Sequence, residues 1–338
     1  MRNDTRVLFD QFTSRLTQLN GVSDATKMFN VEPSVQQTLE MKIQESSDFL
    51  RRINVMGVDE LKGEKLRLGS SGPIAGRTDT NNNDRQTRDM SDMDGNQYEC
   101  RFTEFDTHLP YAKLDAWAKF PNFQTMVRDA IVRQQSLDRI MIGFNGTSAA
   151  TETDRATNPM LEDVNIGWLE HYRQTATERV MTEGSNAGVI QVGNSGDYAN
   201  LDALVYDAVN ELIDPWHRES TELVALVGRK LMADKYFPLV NQQHPPTEHQ
   251  AMDMIIGQKR MGGIQAAQVP YMPDGTILIT TLDNLSLYWQ RGARRRYVTE
   301  NPKRSRIENY ESSNDAYVVE DFGAGCLVEN IETGDFSA

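Results

Sequence analysis

No stretch of this chain comes near the roughly 20 consecutive apolar residues that a membrane-spanning helix requires, so no membrane partner is expected. The start, MRNDTRVLFDQF, scatters its charges and offers no continuous apolar run ahead of a small-residue cleavage site. It predicts no secretory signal, and the chain is expected to stay in the cytosol of the cell that makes it. Cysteine is scarce: Cys100 and Cys326 allow at most one bridge, and they read as small buried apolar residues in strands. Histidine is scarce too, with five residues and neither a His-x-x-x-His pair nor a Cys/His cluster. His244 and His249, around Pro245-Pro246 and Glu248, read as an exposed turn, not a metal site. There is no Gly-x-x-x-x-Gly-Lys-Ser/Thr loop and no Gly-x-Ser-x-Gly elbow, and Gly69, Gly72 and Gly76 lack the spacing of a dinucleotide site. No catalytic residue, cofactor or metal is therefore expected. Basic residues are also in deficit, 35 Lys and Arg against 49 Asp and Glu, giving a net charge of −14. That balance argues against a chain whose main task is to grip nucleic acid, because phosphate neutralisation needs clustered cations. Acidity serves solubility, and it would equally serve a wall that encloses DNA without adhering to it.

What is present is a chain of 338 residues, long enough for two lobes or for one domain with insertions. Phe9, Phe12, Leu16 and Leu19 fall on one helical stripe that Asn20-Gly21 should end. VSDATKMFNVE reads as a linker, and Pro33 opens a second amphipathic segment carrying Val35, Leu39, Ile43, Leu50 and Ile53. From Phe120 to Gly146 a helix is predicted, opened by Pro121 and closed by Gly143. Its apolar positions are Phe123, Val127, Ala130, Ile131, Leu137, Met141 and Phe144, with Arg128, Asp129, Arg133, Asp138 and Arg139 elsewhere. A second helix is predicted over Leu201 to Leu212, capped by Asp197 or Asn200 and ended by Asp214-Pro215. ELVALVG, Thr276 to Thr280 and Leu285 to Trp289 read as strands, RKLMADKYF as a helix, and AYVVEDFGAGCLVENI as a hairpin turning at Gly323-Ala324-Gly325. Mixed helices and strands imply an α+β or α/β lobe.

Two stretches stand apart. Thr78 to Asn96, between the candidate strands Lys65–Leu68 and Tyr98–Phe102, has no aliphatic or aromatic side chain. Asp79, Asp84, Asp89, Asp92 and Asp94 against Arg85 and Arg88 give it a net of −3. So long a polar insert is either disordered or lifted away from the body to reach another chain. Arg291 to Arg306 holds seven basic residues, Arg294, Arg295 and Arg296 among them, against the single acid Glu300. A nucleic-acid patch is one reading, though it lacks interleaved aromatics. The other reading has the insert, or another acidic surface of a neighbouring subunit, meeting this stretch.

QESSDFLRRIN, GFNG followed by NPMLEDVNIGW, DYANLDALV, ADKYFP, QKRMGG, DNLSLYW and ENYESSNDAYVVEDFGAGCLVE resemble the major capsid proteins of Peduovirus-type tailed phages. The resemblance runs from the amino terminus to the expected C-terminal hairpin. It implies an α+β fold of the Hong Kong 97 shell-protein type, with an arm, an extended β-hairpin loop, a peripheral domain on a long spine helix, and an axial domain. The divisions it implies are 1–31 as a scaffold-facing segment, 32–62 as the arm, 63–108 as the loop, 109–197 as peripheral domain, 198–298 as axial domain, and 299–338 returning to the peripheral domain. The function implied is assembly in the host cytoplasm, as pentamers and hexamers, of an icosahedral procapsid and then the mature head enclosing double-stranded DNA. Its implied partners are copies of itself, an internal scaffold protein, a maturation protease cutting near Phe29-Asn30, and a portal protein. The arm and the loop are the parts expected to bend between environments while the spine helix stays rigid. A nanocompartment shell of the same fold and a cytosolic α/β enzyme are the alternative readings.

Overall fold

The computed structural model describes residues 1–64, 75–80, 82, 84–87, 97–117, 123–240 and 259–336. The chain opens with α1 (Asn3–Asn20), β1 (Phe29–Asn30), α2 (Pro33–Glu45), β2 (Asn54–Val58) and β3 (Lys62–Glu64). It continues through β4 (Gln97–Glu99), β5 (Arg101–Glu104), β6 (Thr107–Pro110), α3 (Tyr111–Trp117), α4 (Phe123–Asn145) and α5 (Trp168–Thr175). Next come β7 (Val180–Met181), β8 (Ile190–Val192), α6 (Leu201–Leu212), α7 (Pro215–Arg218), β9 (Val224–Val227) and α8 (Arg229–Val240). The last part holds β10 (Arg260–Met261), β11 (Ile264–Gln268), β12 (Ile277–Thr280), β13 (Leu285–Gln290), β14 (Arg295–Asn301), β15 (Arg306–Val319), β16 (Cys326–Val328) and β17 (Ile331–Thr333). The predicted strand at Lys65–Leu68 lies outside the described residues.

Two sheets organise these elements. In the seven-stranded sheet the order is β1-β14-β15-β13-β2, and the 14-residue β15 takes β5 and β6 along its other side. The six-stranded sheet runs β10-β11-β9-β12-β16-β7. Its central strands are buried along their whole length because both faces are covered. Ala225, Val227, Ile277 and Ile279 face Leu204, Val205 and Ala208 of α6 and Leu231 of α8. The alternate residues Val224, Leu226 and Leu278 join Trp168, Leu169 and Tyr172 of α5. Period-two alternation thus feeds two hydrophobic clusters from one strand. Both cysteines are free and buried, and burial together with nearby Asp315 pushes the Cys100 thiol up to about 12.

Local signals act as their chemistry requires. Gly21 ends α1 at φ 62°, the left-handed conformation, and gives its N–H to the Thr17 carbonyl. Asn200, not Asp197, caps α6 by accepting from the Ala203 N–H at 2.9 Å. Asp197 instead accepts from the N–H groups of Ser185 and Gln191.

Several expectations are corrected by tertiary pairing. VSDATKMFNVE is not a free linker: Ala25, Phe29 and Val31 are buried and β1 joins the seven-stranded sheet. The expected strand Tyr98–Phe102 breaks at Cys100, whose N–H turns to the Leu61 carbonyl, so that β4 pairs with β3 and β5 with β15. The terminal hairpin is not one either: β15 and β16 belong to different sheets, and a short 3-10 turn at Phe322–Ala324 carries the chain between them. By the same pairing β13 and β14 lie with β15, so the expected axial stretch 198–298 is shared between both sheets.

The long helix α4 has 23 residues, on the order of 34 Å at 1.5 Å per residue. Its expected opening at Pro121 lies outside the described residues. The buried side of its second half is Val132, Gln135, Ser136, Arg139, Ile140 and Phe144, while the expected core positions Leu137 and Met141 are only half-buried. Arg139, assigned to the outer face on polarity alone, is 1% exposed. Gly143 does not close the helix, which continues to Asn145. A Cβ there would stand 2.2 Å from the Trp168 ring, which packs edge-on to Phe49, Phe144 and Tyr317. Gly143→Ala is therefore expected to overpack this cluster at a cost of about 1–3 kcal/mol, read as a lower urea midpoint with the slope unchanged.

Candidate assembly interface

The basic stretch divides into an inside and an outside. Arg294 is fully buried, not part of any surface. Its guanidinium donates to Glu40 at 2.7 Å, to Glu311 at 2.7 and 3.0 Å, and to Gln135 at 2.8 Å. Arg139 sits beside it, donating to the other oxygen of Glu40 at 2.5 Å and to Asp315 at 2.9 and 3.1 Å. Glu40 comes from α2, Gln135 and Arg139 from α4, and Glu311 and Asp315 from β15. Five charged groups from four segments thus share one dry site, each satisfied by directed, charge-assisted hydrogen bonds. The expectation that Arg294 meets a neighbouring subunit is corrected on this ground: a buried charge must be paired within its own chain.

Burial by itself pushes the two glutamates up, but the guanidiniums outweigh it. Glu311 is held at about 2, by Arg294 and then Arg296, and Glu40 below its ordinary range by Arg139 and Arg294. Asp315 moves the other way, raised by burial and, across their shared Arg139, by Glu40.

Arg295 points to the opposite side of the sheet and is exposed, with no ion pair among the described residues. Along that face Arg295 opposes Ser312, Tyr297 opposes Tyr310, and Phe102 of β5 opposes Asn314. The two tyrosine rings stack with centroids 5.6 Å apart, and Phe102 and Met28 beside them are 58% and 62% exposed. A shallow hollow of about 290 Å³ lies among these side chains. The other face of β14 is covered by α1, through Val298 against Leu16 and an Arg6–Glu300 ion pair at 2.9 Å. Arg296 is half-buried and donates to Asn309 at 2.9 Å. Phe29 and Asn30 pair in register with Arg296 and Arg295, and Phe29 is buried, so these two expected sites are neighbours in space. Sequence reasoning missed Phe102 and the tyrosine pair; strand alternation across β5, β14 and β15 is the signal that places them on one face.

In the chain the polar insert falls between β3 and β4, a two-stranded ribbon pinned by a Lys62–Glu99 ion pair at 2.7 Å. Tyr98 ties this ribbon to the seven-stranded sheet by edge-on contact with Tyr288 at 5.1 Å. Gly63 is required beneath it, since a Cβ would lie 2.7 Å from the Tyr98 ring. Asp79 and Asp84 are exposed, as are all the described residues from 75 to 87. Asp89, Asp92 and Asp94 lie outside the described residues. No group of three or more metal-binding side chains occurs among the described residues.

Comparison with known proteins bears on this arrangement. Residues 8–331 match the family model described as phage major capsid protein, P2 family. The chain is similar to the capsid protein of Escherichia phage P2, at 52% identity over all of this chain and 97% of that one. It is 44% identical to the major capsid protein of Serratia phage KSP20, over 98% of this chain and 97% of that one. A solved chain from the satellite phage P4 procapsid, determined with its size determination (Sid) protein, is 50% identical with a TM-score of 0.84, and each chain covers the whole of the other. The capsid of an empty GTA particle shares the fold alone, at 14% identity and a TM-score of 0.51 over 85% of this chain and 90% of that one.

The buried cluster makes stability depend on acid in a defined window. Glu311 ionises more readily folded than unfolded, so its contribution is complete above its ordinary value of 4.5 and is lost as pH falls toward 2. That loss is on the order of 3 kcal/mol. Glu40 acts with the same sign; Asp315, being raised, acts with the opposite sign and relieves part of the loss. Urea midpoints measured between pH 5 and pH 3 should fall, and Glu311→Gln should start lower and depend less on pH.

Proposed function

Because the chain belongs to the P2 family of phage major capsid proteins, we propose that it closes into an icosahedral procapsid, and later a head around double-stranded DNA, by laying each subunit's polar loop over the open sheet face of the next. As a major capsid protein it is a structural component of the virion that assembles into a shell with copies of itself, and its fold is of the Hong Kong 97 type. The observation that carries the loop contact is the open face bearing Phe102, Tyr297, Tyr310 and Arg295, set against an insert that is acidic in sequence and whose described residues are exposed. Aromatic side chains supply the contact area, and the cation selects the acidic loop. Exposed ion pairs contribute only about 0.2–1 kcal/mol each, so wrong contacts dissociate while many copies together make a closed shell persist.

The same reading places pentamers and hexamers, an internal scaffold, a maturation protease and a portal among its partners, with assembly in the host cytoplasm. It puts the cut near the Phe29-Asn30 bond. In the subunit this bond lies in β1, paired to β14, so the strand must leave the sheet edge before a protease can take it as an extended substrate. Chains recovered from heads are then expected to lack the segment up to Phe29 by intact mass, whereas unassembled subunits retain it. A full-length mass in mature heads would reject the assignment.

Charge reversal separates folding from assembly. Arg295→Glu and Phe102→Asp should leave the unfolding free energy from urea titration within about 0.5 kcal/mol of the parent while shells disappear from negative-stain images. Arg294→Glu should instead cost about 3–5 kcal/mol of folding stability, because it takes from Glu311 its hydrogen-bonded cation, leaves Glu40 with Arg139 alone, and adds a further buried carboxylate. Normal shells from Arg295→Glu and Phe102→Asp would remove the proposed loop contact.

A further inference from the structure

A second open surface lies on the other side of the subunit. A groove of about 700 Å³ runs between α1, α2 and the first half of α4, and its walls are mostly apolar. Its floor is the seam that helical periodicity marks on α1, yet that seam is only partly covered: Phe12 is half-buried and Leu19 is 49% exposed. Val127 and Ile131 of α4, also half-buried, form the facing wall. Here α4 departs from its buried second half, because the core cluster stops at Val132.

The rim carries one sign of charge. Arg15 and Lys42 line the groove from α1 and α2, are exposed, and have no ion pair among the described residues. Arg128 lines it from α4 and, among the described residues, pairs with its own neighbour Asp129. The one acidic side chain among the described lining residues, Glu311, is already bound to Arg294. In a chain of net charge −14, an apolar groove rimmed by cations is a local reversal of sign.

We propose that this groove docks an amphipathic helix of a partner protein, one with acidic residues flanking its apolar stripe. Three helical walls with a central furrow match the helix-in-groove mode, in which apolar side chains at i, i+3, i+4 and i+7 supply contact and flanking charges set orientation and partner choice. This deepens the reading of the amino-terminal segment as partner-facing and rests on it.

Two labelled synthetic helices of about five turns test the proposal, sharing one Leu stripe and flanked either by Glu or by Lys. They are titrated against the full-length chain by fluorescence anisotropy. The Glu helix should bind at least about tenfold more tightly than the Lys helix, with the difference shrinking in high salt. The double variant Arg15→Glu/Lys42→Glu, changed only at exposed positions, should reverse that preference with near-ultraviolet circular dichroism unchanged. Equal binding of both helices, no binding of the Glu helix, or an unchanged preference in the variant would overturn the proposal. So would a shift in sedimentation between parent and variant without peptide, which assigns the groove to a second copy. Negative-stain images of the parent chain, with and without an internal scaffold protein, read shell formation separately: shells without peptide preference sink the groove alone, and absence of shells and capsomers under both conditions sinks the capsid mechanism.

Discussion

The subunit is organised around two arginines in the wrong place for their chemistry. Arg139 and Arg294 are buried, and each must find carboxylates at hydrogen-bonding distance or the fold cannot bear its charge. The partners they require come from α2, α4 and β15, so satisfying them fixes the arm, the long helix and the central strand relative to one another. Apolar packing tolerates small slips of register, whereas a bidentate guanidinium–carboxylate pair is satisfied over a narrow range of positions. The cluster serves specification as much as stability, since buried ion pairs contribute little net energy over an apolar replacement.

That inner constraint decides what is left for the outside. With Glu311, Ser313 and Asp315 turned inward along β15, the alternate residues Tyr310, Ser312 and Asn314 face away, and Phe102 and the outer side of Tyr310 stay exposed among the described residues. An aromatic platform left open to water stabilises no monomer and is the kind of surface that marks a protein interface. The loop ribbon and the amino-terminal helix pack on opposite faces of the same sheet, the ribbon through Tyr98 against Tyr288 and the helix through Leu16 against Val298.

Aromatic packing supplies the second constraint. Trp168 is enclosed by Phe49, Phe144 and Tyr317 and gives its indole N–H to the Ser286 carbonyl at 2.9 Å, joining α4, α5 and the seven-stranded sheet. Gly143 is the gap in α4 that admits it. Read from the sequence, that glycine is a helix stop; in the fold it is a packing notch within an unbroken helix.

The sequence by itself determined the elements whose causes are local. The Gly21 cap, the Leu201–Leu212 helix, the buried run Val224–Val227 and the polarity of the acidic insert follow from spacing, capping chemistry and composition. Long ordered segments such as ENYESSNDAYVVEDFGAGCLVE were enough to carry the shell-protein resemblance. Only the tertiary structure decided which of three adjacent arginines is buried, that Arg139 turns inward, that β15 and β16 part into separate sheets, and that β1 seals an edge. Those outcomes depend on contacts between residues far apart in the chain, such as Glu40 with Arg294 and Phe29 with Arg296. A side chain's polarity fixes what it must pair with, and only the fold brings that partner within reach.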